Sequence, residues 1–548
     1  MSKIKLFALG GLNENGKNMY VANVDDEIFV FDAGLKYAEE KMLGIDYIIP
    51  KIDYLVQNKE KIKGIFLTHG HDENIGSISD IIDLLPNTKI YGSKFTIEIL
   101  TNELKEDNKD INNLVVLEPH RALSLGKCKI FPVSLSHSIP GNFGYALYTN
   151  DGVIFYASDF VFDSTMRDAY QTDIGKLAYI GKQGVLCLLT ESIYAAKKGH
   201  TSPNHRITSL IRETLNHTDG RIIYNVLSSQ LYRIQELFTE VSKTDRKIVI
   251  MGKRLQNLVN QAIESGYLTV RKDLIGDLSD LNKENSIIVI SNEREKPYFN
   301  MIKIVNGYDK YIKLTPDDTV FIATPVYEGR EKTFYDLLDD IAKIGANISI
   351  LDNKKNLSHH ASSEDLMMMI DLMNPKYYMP VKGEYRYQYE NAELASNLGI
   401  PKENILLKQN GDVITFKDGT LKDDFEMIPT GEVYIDGSFN DGVEELVLKD
   451  RELLRDNGIV VVSTTINKKT KKIVCGPEIL SRGFIYVKDN TDLINEMGNI
   501  CTKIITDNTV NNYIEYNKIK TLIRDELGKF IYKETECKPM ILVVIQEI

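Results

Sequence analysis

The 548-residue sequence predicts an α/β protein of several domains, on three observations. The N-terminal stretch reads as short strands separated by glycine turns. Much of the middle alternates short apolar runs with helix-spaced segments. Histidines and an aspartate recur where strands give way to loops. A chain of this length exceeds what one hydrophobic core serves, so two to four domains are expected. Its composition, 43% hydrophobic and 26% charged, is that of an ordinary globular protein. No apolar run approaches the roughly 20 residues that span a bilayer. The start, Met1 to Gly11, lacks a long apolar signal region, and a cytoplasmic protein is expected. Five scattered cysteines without paired spacing argue against a disulfide framework or a thiolate zinc site. A net charge of −12 disfavours holding nucleic acid by overall charge, so any such ligand needs a local basic channel.

Taken in order, Lys5–Leu9, Met19–Val24 and Ile28–Phe31 read as antiparallel strands. Asp32, at the last strand's end, either caps the turn or supports the loop that follows Phe66. In Phe66-Leu-Thr-His-Gly-His-Asp-Glu-Asn-Ile-Gly76, a buried strand ends in a turn that presents His69 and His71. Two imidazoles at this spacing can face one cation, and neutral imidazole is a favoured zinc ligand. A helix is expected over Ile78–Leu85, a strand over Lys89–Gly92 and a helix over Lys94–Leu104. His137 follows a strand and precedes Pro140, and Asp159 ends the strand that begins at Val153. Three imidazoles and one carboxylate at strand ends make a set that holds a hydrolytic divalent metal and leaves room for water.

Residues 195–350 repeat strand and helix, as an insert with a largely parallel sheet does. Ser363–Met373 is a helix, signalled by Ser362 three residues before Asp365 and by Pro375 beyond its end. Met367, Met368 and Met369 read as adaptable packing. Glu426–Asp450, with Pro429, Gly431, Gly437 and Gly442, reads as a linker. The last hundred residues form a small α+β domain, with Ile519, Leu522, Ile523, Leu527 and Phe530 on one helix face. Dimerisation or partner contact is its expected role. His120, His200, His205 and His217 have no partner spacing and read as surface or core residues. Lys253 and Arg254 either line such a basic channel or sit in a solvated loop.

This order of motifs resembles the metallo-β-lactamase fold, whose signature is His-x-His-x-Asp-His, then a distant His and an Asp. Thr172–Ala178 and Leu188-Leu-Thr-Glu-Ser192 resemble the entry to a β-CASP insertion. Ser358-His-His-Ala-Ser362 and Pro380–Arg386 resemble its return in ribonuclease J, and the likeness extends through Lys472–Phe484. The resemblance implies an α/β architecture: a metallo-β-lactamase αββα sandwich over 1–194 and 353–425, and an inserted β-CASP α/β domain over 195–352. A linker over 426–450 and a C-terminal α+β interaction domain over 451–548 complete it.

In that family two metals bracket the scissile phosphate. The first would sit on His69, His71 and His137, with Asp159 as bridging carboxylate. The unshared ligands of the second align with Glu73, Asn74 and Lys382, all changed from the family pattern, as in a second-paralogue type with a degenerate site. Glu73 is a methylene too long, Asn74 offers an amide oxygen in place of imidazole, and the Lys382 ammonium repels a cation or neutralises Asp159 or Glu73 itself. Asp72 is a substitute ligand only by swinging in. One zinc or manganese ion per chain is expected, with weak metal-dependent 5′→3′ exoribonuclease activity, and endonuclease activity besides, in rRNA maturation and mRNA decay. His360 aligns with a catalytic histidine that protonates the leaving oxygen or stabilises the phosphorane, and Glu191 with an acid that orients His360 or a metal ligand. His359 replaces a glycine and reads as structural. Ser228, Ser229, Ser362 and Gly383, with His360, are the RNA- and phosphate-binding candidates. The loop that binds a 5′ phosphate in the family matches Ser291–Pro297, which lacks its glycines. The implied partners are RNA, an active ribonuclease J paralogue, a second copy in a dimer or tetramer and an RNA-degradation complex, with no membrane and no DNA. The alternative is a largely non-catalytic RNA-binding or structural subunit.

Overall fold

Strands buried along nearly their whole length need cover on both faces. Met19–Val24, Glu27–Phe31 and Val185–Thr190 are such strands. The computed structural model describes residues 2–39, 42–292, 298–326, 329–352, 355–437, 445–484, 490–509 and 513–548. It forms two compact units, Met1–Tyr37 with Tyr47–Val433, and Ala38–Asp46 with Tyr434–Ile548.

In the first unit an eight-stranded sheet runs Thr420–Lys422, Ile414–Lys417, Lys3–Gly10, Met19–Val24, Glu27–Phe31, Ile62–Phe66, Ile90–Gly92, Leu114–Val116. A six-stranded sheet runs Tyr377–Pro380, Val185–Thr190, Gly152–Ala157, Phe143–Thr149, Cys128–Ser134, Leu123–Leu125. Their inner faces meet in one core, where Phe31, Phe66, Tyr145 and Tyr156 pack with ring centroids 5.8–6.1 Å apart. The outer face of the six-stranded sheet is covered by Ile174–Lys182, Ser363–Met373 and Tyr385–Asn397, through Leu177, Ile180, Leu366, Met369 and Ala395. The result is the expected αββα sandwich. The insert is a five-stranded sheet, Lys247–Met251, Ser286–Asn292, Ile222–Leu227, Thr319–Ile322, Asn347–Ile350, parallel throughout.

The second unit contains the strands Ile473–Arg482, Ile459–Ile466 and Met540–Glu547, with the helices Thr491–Asp507 and Tyr516–Thr535 packed on one face. Ile519, Ile523 and Leu527 of the expected helix face are buried, and Ile531 continues it; Leu522 and Phe530 flank the stripe half-buried. Two local differences stand out. The segment Ile78–Leu85 is a short α-helix, Ile78–Ile81, followed by a 3₁₀ turn, Ile82–Leu84. The stretch 426–450, read as a linker, contains the strand Glu432–Ile435 and the start of the helix Glu445–Asn457. Among the described residues no helix is long and apolar enough to cross a membrane.

One close backbone approach fixes the histidine turn. Ala33 N donates to Asn74 O (2.7 Å), Leu35 N to Asp72 O (3.0 Å) and Asn18 N to Glu73 O (3.2 Å). A Cβ on Gly34 would lie 1.6 Å from Glu73 O, so only glycine fits between the two loops. Gly34→Ala is therefore expected to lower unfolding free energy in urea by about 2 kcal/mol or more, as overpacking against backbone does. An unchanged urea midpoint would contradict this contact.

Candidate metal centre and active site

His69, His71, His137 and Asp159, from three strand ends, converge with their ligand atoms all within 4.8 Å of one another. His69 Nε2 lies 3.0 Å from His71 Nδ1 and 3.2 Å from Asp159 Oδ2, and His137 Nε2 lies 3.2 Å from His71 Nδ1. The other nitrogen of each ring is committed elsewhere. His71 Nε2 donates to Ser229 O (3.0 Å) and His137 Nδ1 to His359 O (2.8 Å). His69 Nδ1 meets Thr68 Oγ1 (3.0 Å), and Thr68 in turn donates to Asp32 (3.0 Å). The single Thr68 hydroxyl proton goes to Asp32, so His69 Nδ1 carries the proton of the His69–Thr68 contact.

His71 Nδ1 and His137 Nε2 therefore turn bare lone pairs towards the same point, beside His69 Nε2 and Asp159 Oδ2. Burial, with the neighbouring His69, pushes His71 down to about 3 and holds His137 well below the usual histidine range, so both are neutral, the form that ligates metals. The lone pairs of His71 Nδ1 and His137 Nε2, 3.2 Å apart without a proton between them, repel. A cation with bonds of about 2.0–2.1 Å has tetrahedral edges of roughly 3.3 Å, close to these separations. The donor set fits a divalent metal.

The positions aligned with the second metal, Glu73, Asn74 and Lys382, do not form a second such set, and the other buried group, Asp159, Glu191 and His360, is closed by the His360–Glu191 pair. Lys382 Nζ, fully buried, lies 2.5 Å from Asp159 Oδ2 and 3.7 Å from Glu73 Oε1. Burial opposes its charge, but Asp159, Glu73 and Glu191 outweigh that and hold its pKa above the usual lysine value. Burial likewise works against the Asp159 carboxylate, yet Lys382 and His360 hold it well below the usual range. Asn74 turns its amide away, to Asp32 Oδ2 (2.7 Å) and Ser158 Oγ (3.0 Å). Asp72 takes a hydrogen bond from Tyr37 and faces Arg254 at 3.5 Å, so it does not swing into the site. The backbone of Lys382 is left-handed (φ 50°), pinned by Lys382 N to Gly11 O and Ser192 N to Lys382 O, both 2.9 Å.

Beside this cluster, Glu191 is a buried clamp. Its Oε1 accepts Phe160 N (2.9 Å) and Ala361 N (3.0 Å), and its Oε2 meets His360 Nδ1 (2.8 Å). His360 Nδ1 is also 3.5 Å from Asp159 Oδ1, a charge contact rather than a hydrogen bond. Burial alone would lower the His360 pKa, but Glu191 and Asp159 raise it to about 10, so it is an imidazolium at neutral pH. His359 is fully buried, and among the described residues its ring nitrogens have no partner. It packs on His205 and Tyr232 and serves the site through its carbonyl.

The expected phosphate contacts separate. Ser228 and Ser229 line a cavity of ≈ 1410 Å³ that also reaches His71 and Glu73, and Ser229 presents its carbonyl to His71. Ser362 is fully buried with its hydroxyl on Thr201 Oγ1 (2.7 Å) and its N–H on Asp365 (3.1 Å), so it caps a helix instead of facing substrate. Gly383, at φ 114°, donates to Glu14 O (2.8 Å) and accepts from Gln388 Nε2 (3.0 Å), which leaves its amide committed to the fold. Residues 293–297 of the expected phosphate loop lie outside the described residues. Lys253 and Arg254 line the same cavity, but Arg254 faces Asp72 and Glu103 (3.8 Å), and Glu98, Glu103 and Glu106 line its wall. The channel is mixed in charge, not basic; burial and Asp72 push Glu103 up to about 8. His120, His200 and His205 sit beside Asp173, Asp365 and Asp163, and His217 Nδ1 lies on Glu213 O; all four are structural. Sequence reasoning missed Thr68 and the Ser229 and His359 carbonyls. Thr68 adjoins His69 in sequence, whereas a carbonyl leaves no residue-type signal.

Three imidazoles and an aspartate on the strand ends of an αββα sandwich define a metallo-hydrolase of the β-lactamase class. Family models agree: Beta-lactamase superfamily domain over 29–177, Ribonuclease J beta-CASP domain over 219–341, Zn-dependent metallo-hydrolase RNA specificity domain over 351–406, and Ribonuclease J C-terminal domain over 446–548. The chain is similar to Ribonuclease J2 of Bacillus subtilis (strain 168), 35% identical over 549 residues, covering 100% of this chain and 99% of that one. It is also similar to Ribonuclease J 2 of Staphylococcus aureus (strain MRSA252), 35% identical over 551 residues, covering 100% and 98%. A crystal structure of a protein of unknown function from Enterococcus faecalis V583 shares the fold, with a TM-score of 0.52 at 16% identity over 76% of this chain and 100% of that one. The chain belongs to the ribonuclease J family.

The raised pKa of His360 has a signed consequence. Its contribution to stability is fully present below the unfolded pKa of about 6.5 and is lost as pH rises through the folded value of about 10. The gap in unfolding free energy between wild type and His360→Gln is expected to narrow from pH 6 to pH 10.5 in urea titrations. A pH-independent gap would contradict the His360–Glu191 ion pair.

Proposed function

We propose that this protein is a metal-dependent ribonuclease that acts on RNA as a 5′→3′ exonuclease and also cuts internally, in rRNA maturation and mRNA decay in the cytoplasm. The observation that supports it most is the adjacency of a metal-fitting donor set, His69, His71, His137 and Asp159, to a buried His360–Glu191 pair. One zinc or manganese ion per chain is the occupancy that the Lys382–Asp159 contact favours. When bound, the cation supplies a Lewis acid and lowers the pKa of a water. Glu191 holds His360 Nδ1, which leaves Nε2 as the nitrogen to meet the phosphodiester. As an imidazolium it stabilises developing negative charge and can release a proton to the leaving oxygen. Ser228 and Ser229 line the approach for RNA.

Lys382 supplies positive charge beside Asp159 but, being buried, offers no open position to an oxygen of the substrate. A site that lacks the second clamp forgoes several kcal/mol of transition-state stabilisation, a rate deficit of a few orders of magnitude at about 1.4 kcal/mol per tenfold. Weak turnover follows. The same ion pair favours a second role, as a partner that supports an active paralogue of the family in a hetero-oligomer, in an RNA-degradation complex or in a homodimer or tetramer.

On 5′-monophosphorylated RNA, His360→Ala is expected to lose most of the residual activity. Equal rates for variant and wild type would point to a contaminant and end the enzymatic reading. The combined variant Glu73→Asp, Asn74→His and Lys382→His is expected to raise kcat/KM by about tenfold or more, since one regained interaction of 1.4 kcal/mol suffices for that factor. No gain would mean that the deficit lies outside the second metal position.

A further inference from the structure

The turn after Glu191 takes no part in the reaction derived above, yet it embraces the segment that bears His360. Tyr194 pairs through its backbone with Ser362, Ser363 N donates to Lys197 O (2.9 Å), and Glu364 N donates to Gly199 O (3.1 Å). The Tyr194 hydroxyl accepts Ser358 N–H at 3.3 Å. Its ring stands against the His360 imidazole at 5.5 Å between centroids, with the planes at 77°. Lys197 Nζ lies 3.8 Å over the Tyr194 ring centroid. The His137 ring borders His360 at 5.7 Å, tilted 55°.

The hydrogen bond from His360 Nδ1 to Glu191 fixes one edge of the imidazole but not its rotation about that bond. A ring packed against the imidazole removes the rotation and so sets where Nε2 points. We propose that Tyr194 is a positioning residue for His360: its ring, backed by Lys197, aims His360 Nε2 at the scissile phosphodiester. This rests on the reading of His360 as the residue that meets the phosphate.

The test uses the full-length protein with metal and 5′-monophosphorylated RNA, and compares wild type with Tyr194→Leu and Tyr194→Phe. Tyr194→Leu is expected to lower kcat by about tenfold or more with KM within about twofold, because misaiming a catalytic group acts on the chemical step. Tyr194→Phe, which keeps the ring, is expected to recover most of that loss. A second readout needs no turnover. In protein labelled with ¹³C at histidine Cε1, with the His360 signal assigned through His360→Gln, Tyr194→Leu is expected to shift that signal and Tyr194→Phe to leave it nearly in place. An unmoved His360 signal in the leucine variant, or a phenylalanine variant as slow as the leucine one, would overturn the proposal. Absent activity in wild type with a shifted signal would instead count against the ribonuclease reading and leave the positioning contact standing.

Discussion

The constraint on which the site depends is the orientation of three imidazole rings. Each ring is oriented by an acceptor from a different part of the chain: His69 through Thr68 and Asp32, His71 by the carbonyl of Ser229 in the insert, and His137 by the carbonyl of His359 in the returning segment. Asp32 anchors this arrangement. It is buried, left-handed at φ 59°, and accepts from Thr68, Asn74 and Tyr156. Burial raises its pKa and these donors oppose the rise, so a carboxylate in the core is offset by a full set of hydrogen bonds. The two facing sheets hold the strand ends in place, and the insert and return segments complete the tautomers. The metal-fitting geometry is thus a property of the whole first unit and not of the histidine motif alone.

Lys382 gives the site its particular character. A buried ammonium costs several kcal/mol to desolvate and persists only when paired. Here Asp159 and Glu73 provide the pairing, and the same Asp159 oxygen that contacts Lys382 at 2.5 Å lies 3.2 Å from His69 Nε2. One carboxylate oxygen is therefore shared between a tethered cation and the three-histidine set. That sharing links the proposed single-ion occupancy to the proposed weak turnover without any further assumption. Asn74 illustrates the same drift: its amide serves as a strut to Asp32 and Ser158 instead of as a ligand.

Much of this was legible in the sequence, for physical reasons. Side-chain ligands announce themselves by residue type and by their place at the ends of apolar runs, so His69, His71, His137 and Asp159 could be grouped before any coordinates; Glu191 and His360 were singled out only through the resemblance to ribonuclease J. The parallel insert was legible because strands covered on both faces, such as Ile222–Leu227, are apolar almost throughout. Carbonyl acceptors were not legible, because every residue has one. Nor was the burial of Ser362 and Gly383: the capping pattern of Ser362 was legible, but the contact that turns its hydroxyl onto Thr201 and away from substrate was not. The stretch 426–450 misled for a similar reason: its glycines and proline mask the short strand Glu432–Ile435, and the polar helix Glu445–Asn457 has little apolar periodicity to betray it.

The single-cation assignment is tested most directly by anomalous diffraction at the zinc and manganese edges, on crystals of the full-length protein grown with each metal. The expected map has one peak, within bonding distance of His69, His71, His137 and Asp159, with the Lys382 ammonium still against Asp159. A second peak ligated by Glu73, coexisting with Lys382 in its native sequence, would contradict it.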